Sequence, residues 1–405
     1  MKRAIKHITP SLACACAIML AATGCQKDDT NFDKVIAEYE ALPDVDIEWD
    51  NSALTEAPDE PVTDEADEFF NDYVENTDFT STIAIDYNGN TATVTGAVGG
   101  VVVETDGAHV TVTSAKGHVN YILSGSTTNG SFKIYSFNKY CITLSGVNIT
   151  NPAGAAINSQ SSKSCYIVLP HGTSSTLTDG ATYTEVELED QKAALFSEGQ
   201  IIFSGSGSLT INATGKAGIT SDDYLRFRPG PHINVTSTAG NGVKGKDAVY
   251  IDGGVLNITV SAAGAKGINS EGLVNVRGGR TTAIATGHTR IEGTDTTTCA
   301  AMKVDSVLNI SGGTLRLKAT GEGGKGINCN RSITLSGGDV AAVATGAKEA
   351  GSPKGVKCDQ DMTMTGGRLY VYSAWATPLD VNGLLTVAGS HTKYETKKRS
   401  IDIQF

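Results

Sequence analysis

From residue 194 onward the chain repeats itself about every 24 residues, a period that few folds accommodate. The thirteen residues Gly242-Val243-Lys244-Gly245-Lys246-Asp247-Ala248-Val249-Tyr250-Ile251-Asp252-Gly253-Gly254 recur at Gly267 to Gly279, Gly326 to Gly338 and Gly355 to Gly367. More divergent copies begin at Ala194, Gly218, Ala301 and Pro378, so successive starts lie 24, 24, 25, 34, 25, 29 and 23 residues apart. The second, eighth and tenth positions are apolar in every copy, as in Val243, Val249 and Ile251, or Ile327, Ile333 and Leu335. Alternation by two in short runs is the period of a strand, and these side chains therefore face one interior. A Gly pair or its relative follows, then another alternating run such as Leu315, Leu317 and Ala319.

Three short strands in about 24 residues leave no room for a helix, which excludes leucine-rich repeats; propeller blades need about 40 residues each. The period predicts an all-β chain: a single-stranded parallel β-helix of about ten coils, each burying its apolar side chains against the next. Looser alternation at Tyr121-Ile122-Leu123-Ser124-Gly125, Phe132-Lys133-Ile134 and Ile142-Thr143-Leu144 places the first coils upstream, so the helix runs over 113–405. Residues 80–112, with Ile83, Ile85, Val94 and Val110-Thr111-Val112, are expected to cap its N-terminal end.

The N-terminal region is of a different kind. Lys2, Arg3 and Lys6 precede an apolar run from Leu12 to Ala22, too short to span a bilayer as a helix and read as a secretory signal over 1–24. The small residues before Cys25 resemble a bacterial lipobox, with Ala22 where Leu is usual; the resemblance implies cleavage before Cys25 and lipidation of its thiol. Gln26-Lys27-Asp28-Asp29 looks like the signal that sends Bacteroidota-type lipoproteins to the cell surface, so the expected location is the outer membrane, lipid-anchored. Residues 26–79 carry 19 acidic residues and two Lys, whereas 80–405 carry 27 basic and 25 acidic. Self-repulsion predicts that 25–79 is an extended acidic tether. The nearly neutral body lacks the basic footprint of a nucleic-acid binder.

The order Tyr121 to Gly125, Ile142 to Ile149, Ala155-Ala156-Ile157-Asn158, Gly172 to Gly180, Ala194 to Ser197 and Gly205 to Ile211, followed by Gly-Ile/Val coils, is similar to a family of extracellular bacterial β-helices, the carbohydrate-binding domain-containing proteins. The resemblance covers roughly residues 110–390. It implies a right-handed helix, calcium binding and affinity for acidic plant-wall polysaccharide. The family in turn looks like the pectate lyase helices without being established as a lyase family. Where many members carry Asp before the Gly-Ile pair, this chain has Lys266, Lys325 and Lys354.

If the second and fourth positions of each copy face in, the third and fifth face out. The third supplies Lys244, Asn269, Lys303, Asn328 and Lys357; the fifth supplies Asp222, Asp305 and Asp359. With Lys266, Lys325 and Lys354 these form a polar stripe in which ammonium groups meet carboxylates and Asp oxygens hold calcium that bridges to uronates. A solvated ladder of Lys and Asp/Glu pairs explains the same pattern. Tyr370 and Tyr372 alternate with inward Leu369 and Val371 and, with Trp375, are candidates for stacking on sugar rings or for covering the last coil. Insertions near 287–298 and 347–353 make loops on one edge.

Asp222-Asp223 is similar to the adjacent aspartates of β-helical polygalacturonases, but the third Asp, the Gly-His-Gly and the basic partner of that set are absent. No catalytic residue is assigned. Cys329 and Cys358 fall at the same inward position of neighbouring coils and read as buried thiols. The leading expectation is a monomeric surface lipoprotein that binds acidic polysaccharide, with a β-helical lyase or hydrolase, or an adhesin shaft, as alternatives.

Overall fold

The computed structural model describes residues 59–348, 351–396 and 398–405; the expected signal sequence, Cys25 and the part of the expected tether up to residue 58 lie outside them. Among the described residues the regular structure is strand, apart from two short 3-10 turns, Phe70–Asp72 and Val74–Asn76. Each coil contributes three strands, as in Ile201–Gly205, Ser208–Ala213 and Ala217–Ser221, and each strand pairs in parallel with its equivalent one coil on. The result is a parallel β-solenoid of about eleven turns with three faces. The first two faces form one continuous sheet of 24 strands, and the third is a separate sheet of 12.

The inward positions build one cluster from Ile83 to Ile403, in which like residues stack. Phe203 and Phe227 are register partners whose rings lie parallel, 5.0 Å between centroids. The Gly pairs turn the corner between the first and second faces: Gly279, Gly313, Gly338 and Gly367 all have φ between 73° and 85°. A Cβ on Gly338 would stand 2.7 Å from the carbonyl oxygen of Gly312 one coil below, so neither the φ nor the space admits a side chain.

At the N-terminal end, Thr91–Thr95 folds back antiparallel on Ser81–Asn88 and Val101–Asp106 on Ala108–Ser114, closing the first rungs. At the other end Ser400–Gln404 runs antiparallel to Arg368–Ser373. The five described cysteines are free and buried; Cys329 and Cys358 are register partners, and their thiols lie near backbone carbonyl oxygens of Ser306 and Arg331.

One departure from the sequence expectation concerns the end of the acidic segment. Residues 59–79 form a strap along the first face. Here the outward column Cys141, Tyr166, Ile202, Arg226 and Tyr250 is largely apolar or aromatic, and the strap lays Phe79 against Tyr166 and Phe69 against Tyr250, with centroids 5.7 and 5.5 Å apart. Arg226, 1% exposed, pairs with strap Asp72 at 2.6 Å and with Asp252 at 2.7 Å. Arg228 takes Glu75 at 2.8 Å and Asp59 at 2.9 Å. Acidic residues that repel one another in an isolated segment are thus met by cations of the solenoid.

Candidate functional site

The strands of the third face begin just after the corner that leads from the second. Lys266, Lys325 and Lys354 open three of them: Lys266 is paired in register with Ala300, Ala300 with Lys325, and Lys325 with Lys354. Beside them runs a second column, Lys244, Asn269, Lys303, Asn328, Lys357 and Asp380. The stacking of coils, about 4.8 Å apart, therefore brings all of the lysines named from the sequence onto one face.

Their charges are not equivalent. Lys244 pairs with Glu271 at 2.7 Å, Lys303 with Asp305 at 2.6 Å, Lys357 with Asp359 at 2.9 Å and Lys354 with Asp380 at 3.2 Å. Among the described residues, Lys266 and Lys325 have no carboxylate at ion-pair distance; the Lys325 ammonium donates to the Gly323 carbonyl at 3.4 Å. Both are half-buried. Burial, reinforced by Lys357 and Lys354, lowers the Lys325 amine to about 8; burial with Lys303 and Arg290 lowers that of Lys266. These are two under-neutralised cations within a ladder of satisfied ones.

The N-terminal stretch of the same face is covered. Residues 181–192 make an insertion at the second-to-third corner, held by Glu189, which accepts from Lys133 at 2.6 Å and from the Tyr135 hydroxyl. The Lys192 ammonium lies over the ring of the outward Phe196, 5.5 Å from its centroid, and Phe196 and its register partner Thr220 are buried. This loop was not legible from the repeat, because the first in-phase copy begins only at Ala194. The insertions at 286–299 and 345–353 leave from the same corner, and the first of them carries a hairpin, Arg290–Glu292 with Asp295–Thr297. Loops and lysines thus border each other.

The candidate calcium ligands are not gathered into one centre. Asp305 is taken up by Lys303 and by Asn330, whose amide donates at 2.7 Å; Asp359 is taken up by Lys357 and Asn382. Asp222 is different: its carboxylate lies with those of Asp190 and Glu198, the oxygens all within 4.8 Å of one another. Burial, then Asp222, raises the Glu198 carboxyl above its ordinary range. Lys192 bridges Asp190, at 2.7 Å, and Asp222. The three carboxylates are a hard-oxygen donor set of the type calcium takes, and a cation there would displace the Lys192 ammonium.

The aromatic candidates separate as well. Tyr370 and Tyr372 lie on the second face, in register with Ala341 and Val343, and are 9% and 1% exposed, so neither offers a ring for stacking beside the lysines. Asn328, at 8%, is also buried despite its outward position. Trp375, 59% exposed, stands in the last second-to-third corner, ahead of Leu379–Val381.

A family model described as carbohydrate-binding domain-containing protein matches residues 106–399. The chain belongs to this family. A carbohydrate-binding domain-containing protein of Acetivibrio thermocellus is 32% identical over 123 residues, 29% of this chain and 42% of the relative, so the match spans less than half of that protein's length. Among solved structures the carbohydrate-binding domain is similar to the polysaccharide lyase-like protein from C. thermocellum, determined as a gadolinium derivative. The TM-score is 0.52 and the identity 27%, covering 62% of this chain and 95% of that one. The family match over residues 106–399 contains every lysine named on the third face together with the three corner insertions.

Proposed function

We propose that this carbohydrate-binding domain takes an acidic, uronate-containing polysaccharide along its third face. The observation that carries the reading is the pair Lys266 and Lys325, which lack carboxylate partners among the described residues in a row where their neighbours are paired. Repeated carboxylates of a uronate chain complete such a row, because each supplies the charge that the protein withholds. Family membership supports the polysaccharide itself. Trp375 and the corner loops flank the track, and calcium held by Asp190, Glu198 and Asp222 would supply a bridging cation to further uronates.

Lys266→Ala/Lys325→Ala should lower polygalacturonate affinity by about 10- to 100-fold at low salt, the loss shrinking as salt screens the attraction. Stability should move by less than about 1 kcal/mol, since exposed and half-exposed charges contribute little. Lys303→Ala, which removes an already paired cation, should do much less to binding. The sign of the pH effect follows from Lys325. Its ammonium is present below about 8 and lost above, so wild-type affinity falls as pH rises from 7 to 9 and that of the double variant stays flat. Isothermal titration at the two pH values reads both effects; full affinity in a folded double variant would leave the stripe as a solvated ladder.

The N-terminal signals support a lipid anchor at Cys25 that holds the protein on the outer membrane, facing outward. Cys25→Ala should move the protein from the membrane to the soluble fraction and abolish incorporation of labelled fatty acid; unchanged labelling removes the anchor.

A further inference from the structure

The first face meets its strap with groups that are unusual for a solvent-facing sheet. Arg226, in the strand Tyr224–Phe227, and Arg228, just beyond its end, both pair with the strap and are buried, 1% and 2% exposed. Arg228 presents its guanidinium as a fork to two carboxylates at once, Nε and Nη2 to Asp59 at 3.1 and 2.9 Å, Nη1 and Nη2 to Glu75 at 2.8 and 3.3 Å. Tyr224 donates its hydroxyl to Asp72, Tyr166 donates to the Asn71 carbonyl, and Lys139 donates to the Asn71 amide oxygen at 3.0 Å. With the strap lifted, this face would show three tyrosines, Tyr166, Tyr224 and Tyr250, around those three cations, with Asp252 as the one carboxylate bound to Arg226. The strap over 59–79 contains nine acidic residues and no basic one.

Forked guanidiniums beside an aromatic ring, here Tyr250 with its centroid 5.7 Å from the central carbon of Arg226, are the chemistry that recognises carboxylates carried on a chain of rings and hydroxyls. We propose that the first face is a second carboxylate-recognition surface, and that the acidic strap is its intramolecular occupant, competing with an acidic polysaccharide for Arg226 and Arg228. The ligand class is the one read from the third face, and in that respect the inference rests on the proposed function. Its location does not: the two surfaces are on different faces and share no residue. Two of the strap's clamping carboxylates lie at its rim, Asp59 30% and Glu75 50% exposed, where an incoming polyanion reaches them first.

Two measurements on the full chain decide it. In wild-type protein, saturating polygalacturonate should speed amide hydrogen exchange over residues 70–79, whereas a neutral glucan of equal length should not. In Asp59→Asn/Asp72→Asn/Glu75→Gln, which keeps the strap's shape and neutralises the three carboxylates that hold Arg226 and Arg228, polygalacturonate affinity should rise about tenfold, the effect of one added charge-assisted contact. Adding Arg228→Gln should cancel that gain. Unchanged strap exchange in the wild type at saturation, or unchanged affinity in the triple variant, overturns the proposal. Repeating the triple substitution in the Lys266→Ala/Lys325→Ala background separates the two surfaces: a gain there sustains the first face even if the third binds nothing, and its absence with an intact third-face effect removes the first face alone.

Discussion

Arg226→Ala should destabilise the solenoid by about 3–5 kcal/mol, because removing one partner of a buried ion pair leaves the others buried and uncompensated. The guanidinium stands between Asp72 and Asp252, with the Phe69 ring 4.5 Å from its central carbon. After truncation Asp72 keeps only the Tyr224 hydroxyl from this set, while Asp252 retains Arg277 at 2.7 Å. Urea unfolding of Arg226→Ala beside Arg277→Ala is the informative comparison. Arg277 is 45% exposed and contacts the same Asp252, so its loss should cost under about 1 kcal/mol. Equal, small losses in both variants would mean that the strap adds little to the fold.

A loss of similar size, about 3–5 kcal/mol, is expected for Phe203→Ala, through a different mechanism. Phe203 stacks on Phe227 within the continuous core, and the backbones around it are fixed by hydrogen bonds to the coils on either side. Rungs held at about 4.8 Å cannot close over the missing ring, so the cavity term stays nearly whole. In a one-dimensional stack the coupling between neighbouring coils carries the cooperativity. The variant should therefore unfold over a broader transition, with probes in the two halves no longer coincident. A sharp single transition that loses less than about 1 kcal/mol would show that the coils reapproach.

The solenoid was legible because its determinants are local and repeated. Val243, Val249 and Ile251 define an inward pattern that every later copy restates, and the Gly pairs mark one corner in phase. The lysine face was legible for the same reason, since equal positions in stacked coils must share a face. What the sequence withheld are contacts between segments distant along the chain. The strap's Asp72 meets Arg226, and Asp59 meets Arg228, 154 and 169 residues later, so nothing near the acidic run signals that it docks. Burial of outward residues was hidden likewise: Phe196 stands at an outward third position and is nevertheless buried, with Lys192 of the insertion over its ring. Tyr370 and Tyr372 followed the alternation correctly but belong to the second face. Which lysines are neutralised also depends on the stack, because Lys354 finds Asp380 on the next rung while Lys266 finds Ala300.

The three corners of the rod have unequal tolerance for added chain, and this bears on how such a scaffold diversifies. At the first-to-second corner Gly279, Gly313, Gly338 and Gly367 each rest on the glycine backbone of the coil below, with Gly367 too close to the Gly338 carbonyl oxygen, 2.4 Å for an added Cβ, to accept any other residue. The second-to-third corner already holds segments as short as 128–129 and as long as 286–299 without disturbing the register of the rungs around them. New sequence grafted there would emerge beside the lysine track, so specificity could be rebuilt by loop exchange on an unchanged rod.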